Sequence, residues 1–276
     1  MRTNSRLFVT FAIAVAAAVV AAAPAAAKVR AHGDVVHIVR PQVNANQSGN
    51  WFGYNQGTLE QNGKQFHAIT GYWRVPRASS HIHGENEYSS TWLGIGGGCV
   101  DSGCLVGDNT LIQTGTEQDV DSSGHPSYSA WWEIIPAPSI TISNIAPRPG
   151  DLMYASIAEN PAGSEVWTIQ LRDVTRHQSF SQTVPYASSH ATAEWIDETP
   201  VVLDTSGGAF APLPNLSVTN FDHATTNGAP AGLQSSEEMQ LVDSNNNVIG
   251  APSAPDRDHD GFNDCAWAKS CGVPSS

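Results

Sequence analysis

From residue 50 onward the chain alternates short apolar runs with clusters of Gly, Pro, Asn and Asp, and no stretch sustains the 3.6-residue period of a helix. Runs with strand character cover residues 67–75, 90–95, 110–115, 128–135, 140–145, 152–158, 165–173, 179–184, 191–197 and 238–249. The last is interrupted by Asp243-Ser244-Asn245-Asn246-Asn247, whose side chains can bond their own backbone, so it reads as a hairpin loop. Short strands at fairly regular spacing predict an all-β fold, an antiparallel two-sheet β-sandwich of jelly-roll or concanavalin-like form, as one domain over residues 50–276.

The N-terminus breaks this pattern. Arg2 and Arg6 precede an apolar stretch from Leu7 to Ala23, and Ala25-Ala26-Ala27 offers a small-residue cleavage site, which together read as a signal peptide over residues 1–27 and a secreted product. The apolar stretch is short for a membrane span. Residues 28–49 show little periodicity and read as a linker or short pro-segment. Removing 27 of the 276 residues leaves 249 and a net charge of −15 with His neutral. Such a surface disfavours nucleic acid and anionic membrane as partners. Cysteines fall into two local pairs, Cys99 with Cys104 and Cys265 with Cys271, which suit two small disulfide loops in an oxidising compartment.

Strand parity points to candidate chemistry. Across 128–135, Trp131, Glu133 and Ile135 share one face while Trp132 and Ile134 share the other. Across 191–197, Glu194 and Ile196 share a face opposite Ala193, Trp195 and Asp197. A carboxyl in an apolar strand is either solvent-facing or buried, and burial raises its pKa toward the range where it works as base and then acid. Gln113, an uncharged amide in an apolar strand ending at Gly115, is either hydrogen-bonded structure or a donor aimed at a ligand. Gly94-Ile95-Gly96-Gly97-Gly98 lacks the helix and Lys of a phosphate loop and reads as close backbone approach.

Metal chemistry has weaker signals. Asp256, Asp258, Asp260 and Asp264 place oxygens at alternate positions near Gly261, like the opening of a calcium loop, but the twelfth position is Trp267 where the bidentate Glu belongs. A plain hairpin turn at Asp260-Gly261 leading into a final strand is the preferred reading. His81 and His83 are a lone pair in a polar loop. No cofactor is expected.

Seven short words occur in one order: Asn50-Trp51-Phe52-Gly53-Tyr54, Gly71-Tyr72-Trp73-Arg74-Val75-Pro76, Trp92-Leu93-Gly94-Ile95, Leu111-Ile112-Gln113-Thr114-Gly115, Tyr128-Ser129-Ala130-Trp131-Trp132-Glu133, Pro149-Gly150-Asp151 and Ala193-Glu194-Trp195-Ile196. Together they resemble the glutamic peptidase (eqolisin) family. The resemblance implies a two-sheet sandwich with a substrate cleft on one sheet, pepstatin-insensitive cleavage of polypeptides at acid pH, and a Gln/Glu dyad that falls here on Gln113 and Glu194. It also implies that Trp51, Trp92, Glu117, Trp131 and Glu133 line or support the cleft. Two features depart from the family pattern: Gly96 stands where better-known members carry Asp, and residues 99–104 lengthen the following loop.

The leading expectation is therefore a secreted, monomeric acid endopeptidase. Two alternatives stay open: a non-catalytic carbohydrate-binding sandwich that stacks sugars on exposed tryptophans, and a glycosidase using two of Glu117, Glu133 and Glu194. The acidic balance and the low lysine count (Lys28, Lys64 and Lys269) fit work at low pH, where protonation relieves self-repulsion.

Overall fold

In a computed structural model, residues 35–39, 42–44, 46–101, 103–204 and 207–275 are described; the segment read as a signal peptide lies outside them. Val, Ile, Trp and Tyr at period two build two antiparallel sheets. The front sheet runs, strand by strand, Pro126–Ile134, Leu111–Val120, Ser90–Gly96, Thr192–Glu198 and Trp51–Gly57. The back sheet runs Gln178–Pro185, Val166–Asp173, Leu152–Glu159, Ala68–Arg74, Thr219–Thr226, Phe262–Ala266 and Val248–Pro252. Glu238–Val242 belongs to both: Glu238 and Met239 pair with Tyr54 and Gly53, whereas Leu241 and Val242 pair with Gly250 and Val248. One strand thus closes one side of the sandwich.

The main core lies between the sheets. Back-sheet strands alternate, with Ile69, Trp73, Met153, Ala155, Ile157, Ile169 and Leu171 pointing inward against Tyr54, Leu93, Ile95, Ile112 and Trp195 of the front sheet. Trp195 spans the gap, donating its Nε1–H to the Thr70 carbonyl at 3.0 Å. It fits because Gly71 lacks a side chain; a Cβ there would stand 2.9 Å from that nitrogen. The front sheet differs in that Trp51–Gly57, Ser90–Gly96 and Thr192–Glu198 are buried at every position. Its outer face carries a second cluster of Trp51, Trp92, Leu111, Trp131, Ile196 and Met239, with Val39 packed on it.

Most expected strands form near their expected bounds. The run at 140–145 shrinks to Ile140–Thr141, and the run at 110–115 continues through polar residues to Val120. Trp51–Gly57 and Thr219–Thr226 form strands that no alternation marks, the first because both faces are buried, the second because its residues are mostly polar. Pieces of 28–49 are short strands that borrow partners: Val35–Val36 pairs with Val201–Val202, and Gln47–Ser48 runs parallel to Gln240–Leu241. Both expected disulfides, Cys99–Cys104 and Cys265–Cys271, are present. No α-helix occurs among the described residues, and no helix is long and apolar enough to cross a membrane.

The inter-sheet core also holds two acids, Asp197 and Asp264. Thr91 Oγ1 donates to Asp197 Oδ1 at 2.5 Å, but Asp197 Oδ2 and both Asp264 oxygens have no hydrogen-bond partner among the described residues. Burial pushes both carboxyls up, and the neighbouring Asp197 charge raises Asp264 further. The folded state therefore holds these protons after the unfolded chain has released them, so stability is full below about pH 4 and falls as pH rises toward neutrality. Glu159 acts oppositely: burial alone would raise it, but the Gly163 and Glu165 amides with His67 and His190 hold it down at about 2, so its contribution is full above its unfolded value and is lost progressively as pH falls from there through about 2. Thermal unfolding followed at pH 3.5 and 7 will show a lower Tm at pH 7. Asp197→Asn will narrow that difference, and an unchanged difference would show that this pair does not set it.

Candidate active site

Antiparallel register places side chains of neighbouring strands in rows across the outer face of the front sheet. The first row reads Glu133, Gln113, Gly94, Glu194, Asn55; the second Trp131, Gly115, Trp92, Ile196, Gly53; the third Ser129, Glu117, Ser90, Glu198, Trp51. Rows two residues apart lie about 7 Å from one another, and strands about 4.8 Å. Every residue expected at the cleft from sequence, namely Trp51, Trp92, Gln113, Glu117, Trp131, Glu133 and Glu194, stands on this grid. Gln113 and Glu194 face each other from either side of Gly94, two strand spacings or roughly 10 Å between Cα atoms.

The Gln113 amide is oriented by its neighbour: Nε2 donates to Glu133 Oε2 at 2.7 Å, while Gln113 Oε1 has no partner among the described residues. An amide NH₂ has a second N–H left to give. Glu133 is pushed up to about 7, first by burial, with His37 and the Gln113 bond opposing and Glu198 and Glu117 adding to the rise. Glu194 is fully buried and neither of its oxygens has a hydrogen-bond partner of normal geometry. Burial raises it well above the usual carboxyl range, the Thr192 hydroxyl and the Gly98 amide pull the other way, and Asp108 adds to the rise.

Residues 97–101 of the loop following Ser90–Gly96 cover Glu194. Asn55 holds this loop by both ends of its amide, accepting from the Cys99 N–H at 2.8 Å and donating to the Cys99 carbonyl at 3.0 Å. Gly98 permits the approach, because a Cβ there would lie 1.6 Å from Asn55 Oδ1 and 2.6 Å from Glu194 Oε1. Gly96, at φ +97°, passes so close to the Thr110 carbonyl that a Cβ would stand 2.0 Å from its oxygen. No aspartate can occupy that position without moving the strand beside it.

Three site residues carry no clear mark in the sequence reading. Glu198 takes Trp92 Nε1–H at 2.9 Å and Asn50 Nδ2 at 3.2 Å; its parity with Glu194, four residues earlier, could have found it. Asn55 sits in a strand without alternation. His37 comes from the segment before residue 50, stacked on Trp131 with ring centroids 4.1 Å apart and 11° between planes, and no local signal marks it. The tryptophans are interior: Trp51 and Trp92 meet edge to face at 4.8 Å, and all three rings of the cluster are buried. No exposed aromatic platform of the kind a sugar stacks on is formed by them.

The other sequence candidates lie elsewhere. Asp256, Asp258 and Asp260 gather their oxygens within 4.8 Å, but Asp256 Oδ1 already accepts from the Asp260 and Gly261 amides, and the chain turns there into the strand Phe262–Ala266. A turn leads into the final strand here. Asp264 does not join it, being the core acid beside Asp197, because its place in that strand points it between the sheets. His81 stacks on Trp267 at 3.7 Å, and His83 is exposed.

The fold resembles solved glutamic peptidases. Scytalido-glutamic peptidase, solved with a transition-state analogue inhibitor, superposes with a TM-score of 0.58 at 20% identity, over 79% of this chain and 98% of that one. SCP-B, a member of the eqolisin family solved with the tripeptide Ala-Ile-His, gives 0.53 at 19% over 79% and 98%. Aspergilloglutamic peptidase from Aspergillus niger gives 0.52 at 20% over 65% and 99%. No curated protein matches the chain. The model of the Peptidase A4 family matches residues 49–259, from just before the Trp51 strand to the turn before the last one, and on that ground the chain belongs to the Peptidase A4 family, the glutamic peptidases.

Proposed function

We propose that this chain is a secreted acid endopeptidase in which Glu194 is general base and then general acid and Gln113 is the oxyanion donor. The observation that carries the reading is the first row of the grid, where a carboxyl and an amide with unmet hydrogen-bonding capacity face each other across a glycine in the fold of a peptidase family. In the closed cleft, burial keeps Glu194 protonated. Entry of water and a peptide beside its two unpartnered oxygens restores hydration and lowers its pKa, giving the carboxylate that takes a proton from the attacking water. The same proton then goes to the leaving amine nitrogen. Gln113, fixed through one N–H by Glu133, offers the other to the oxygen that becomes negative, and as a neutral amide it keeps that capacity in acid.

Several features support the remaining parts of the reading. The two disulfides and the N-terminal segment suit export. Raised core acids and the acidic surface suit work below neutrality. SCP-B binds the tripeptide Ala-Ile-His, and the outer face of the front sheet in this chain receives His37 of its own N-terminal segment, stacked on Trp131. Residues 28–49 fit a pro-segment that leaves before work begins, and nothing in the reading requires more than one copy of the chain.

Cleavage of an acid-unfolded protein near pH 3.5 tests the assignment. Glu194→Gln will lower turnover by about 10² to 10⁴-fold, the range for a positioned acid/base. Gln113→Ala will lower it by about 10² to 10³-fold, the range for one oxyanion donor. Pepstatin will leave the wild-type rate unchanged. Absence of cleavage by folded wild type across acid pH, with and without residues 28–49, would overturn the reading.

A further inference from the structure

A second convergence of chemistry-bearing side chains lies outside the grid of the front sheet. Glu159 ends its strand with the inward parity of Met153, Ala155 and Ile157, so its side chain is fully buried. Two imidazoles meet one of its oxygens, His67 Nδ1 at 2.6 Å and His190 Nε2 at 3.1 Å from Oε2. The three ligating atoms all lie within 4.8 Å of one another. Main-chain bonds fix the residues that carry them: the Glu159 N–H donates to the His67 carbonyl at 2.8 Å, and the Phe66 N–H to the His190 carbonyl at 3.0 Å. Asn227 Oδ1 accepts from the His67 and Ala68 amides, and the His190 ring stacks on Trp167 with centroids 5.4 Å apart.

Hydrogen bonding alone leaves this arrangement with more donors than acceptor sites. Glu159 Oε1 accepts from the Glu165 amide at 2.6 Å and Oε2 from the Gly163 amide at 2.7 Å, which takes one of about two lone-pair sites on Oε2. Two ring nitrogens then share the site that remains. A metal ion among the three atoms removes the conflict: each imidazole presents a lone pair in place of a proton, Oε2 gives its second lone pair to the ion, and the Gly163 bond stays. The two amides then orient the carboxylate as the outer hydrogen bonds of a metal ligand do, and they already favour its ionised form.

The donor set narrows the ion. Calcium and magnesium take oxygen ligands and do not fit two imidazoles. Divalent transition ions do, and zinc accepts two His and one Glu at about 2.0–2.1 Å with a fourth position for water. Donors around such a tetrahedral ion stand about 3.3 Å apart, so the observed 2.6 and 3.1 Å require opening by less than about 1 Å. The His67 side chain is 27% exposed, which gives the fourth position access to solvent.

We infer that His67, Glu159 and His190 form a binding site for one divalent transition-metal ion, zinc first, with water as the fourth ligand. The ion joins the residue before Ala68–Arg74, the end of Leu152–Glu159 and the approach to Thr192–Glu198, and so fastens the back sheet to the front-sheet strand that carries Glu194. The site stands apart from the peptidase reading. Its ligands are separated by 92 and 31 residues, which is why no motif announces it.

Titration of the full-length protein, stripped of metal by a chelator, with zinc chloride at about pH 7.5 tests the site, since free imidazole is mostly neutral there and able to ligate. Calorimetry will show one ion per chain with a micromolar or tighter Kd. His190→Ala and His67→Gln will each weaken binding by about 100-fold or more, past the range for losing a hydrogen-bond partner of a ligand. Zinc will raise the Tm of wild type and leave that of His67→Gln unchanged. Cobalt(II) on wild type will give the intense visible absorption of a four-coordinate tetrahedral ion, a readout that stands even if a variant does not fold. Absence of zinc binding by wild type, a weak octahedral cobalt spectrum, or binding undiminished in both folded variants would overturn the site, whatever the outcome for catalysis.

Discussion

A sheet buried on both faces is the constraint on which the site depends. Trp195, Leu93, Ile95 and Tyr54 commit the inner face of the front sheet to the back sheet, and with period two this leaves Glu194, Ile196, Trp92 and Gln113 no direction but outward. A slip of one residue in any of these strands would exchange the two sets, placing a tryptophan in the cleft and a glutamate in the core. The inter-sheet packing thus holds Gln113 and Glu194 in register. Gly71 under Trp195 and Gly98 against Asn55 serve the same end, since each lets two layers close to contact where a side chain would hold them apart.

Burial then determines the electrostatics. The outer face gathers four buried carboxyls, Glu117, Glu133, Glu194 and Glu198, on neighbouring strands, and burial disfavours charge on Glu133 and Glu194. The structure meets this in three ways: an amide beside Glu133, a tryptophan and an asparagine on Glu198, and an imidazolium between Glu198 and Glu117. Glu194 receives none of them. Its unmet oxygens leave room for a partner that arrives from outside, which in the proposed mechanism is water. Asp197 and Asp264, on the other side of the same sheet, are raised by the same physics but enclosed in the core, where they bear on stability against pH and not on chemistry.

The segment 35–39 and the loop residues 97–101 cover the same face from different parts of the chain. The loop is tied down by the Cys99–Cys104 bridge and the Asn55 amide. The segment is held by a two-residue strand pairing, one imidazole and one valine side chain. Under the proposed function, a roof fixed over Glu194 beside a segment held by few contacts suits admission of a peptide to a site otherwise kept dry.

Much of this was legible in the residues alone. Alternation identified most back-sheet strands because each has one wet face, and parity placed Glu133 with Trp131 and Glu194 with Ile196 on shared faces, as found. The ordered words around Gln113 and Glu194 pointed to the peptidase family. Alternation was silent on Trp51–Gly57, where both faces are buried and the pattern has nothing to report. Tertiary structure alone decided that Asp264 leaves the turn for the core, that Glu198 rather than Glu133 meets the imidazole directly, and that His37 lies in the cleft. Each is a contact between residues from 67 to 161 positions apart, and local sequence carries no record of such distances. Periodicity encodes which way a side chain faces; only the register of strands paired across the whole chain determines what it meets.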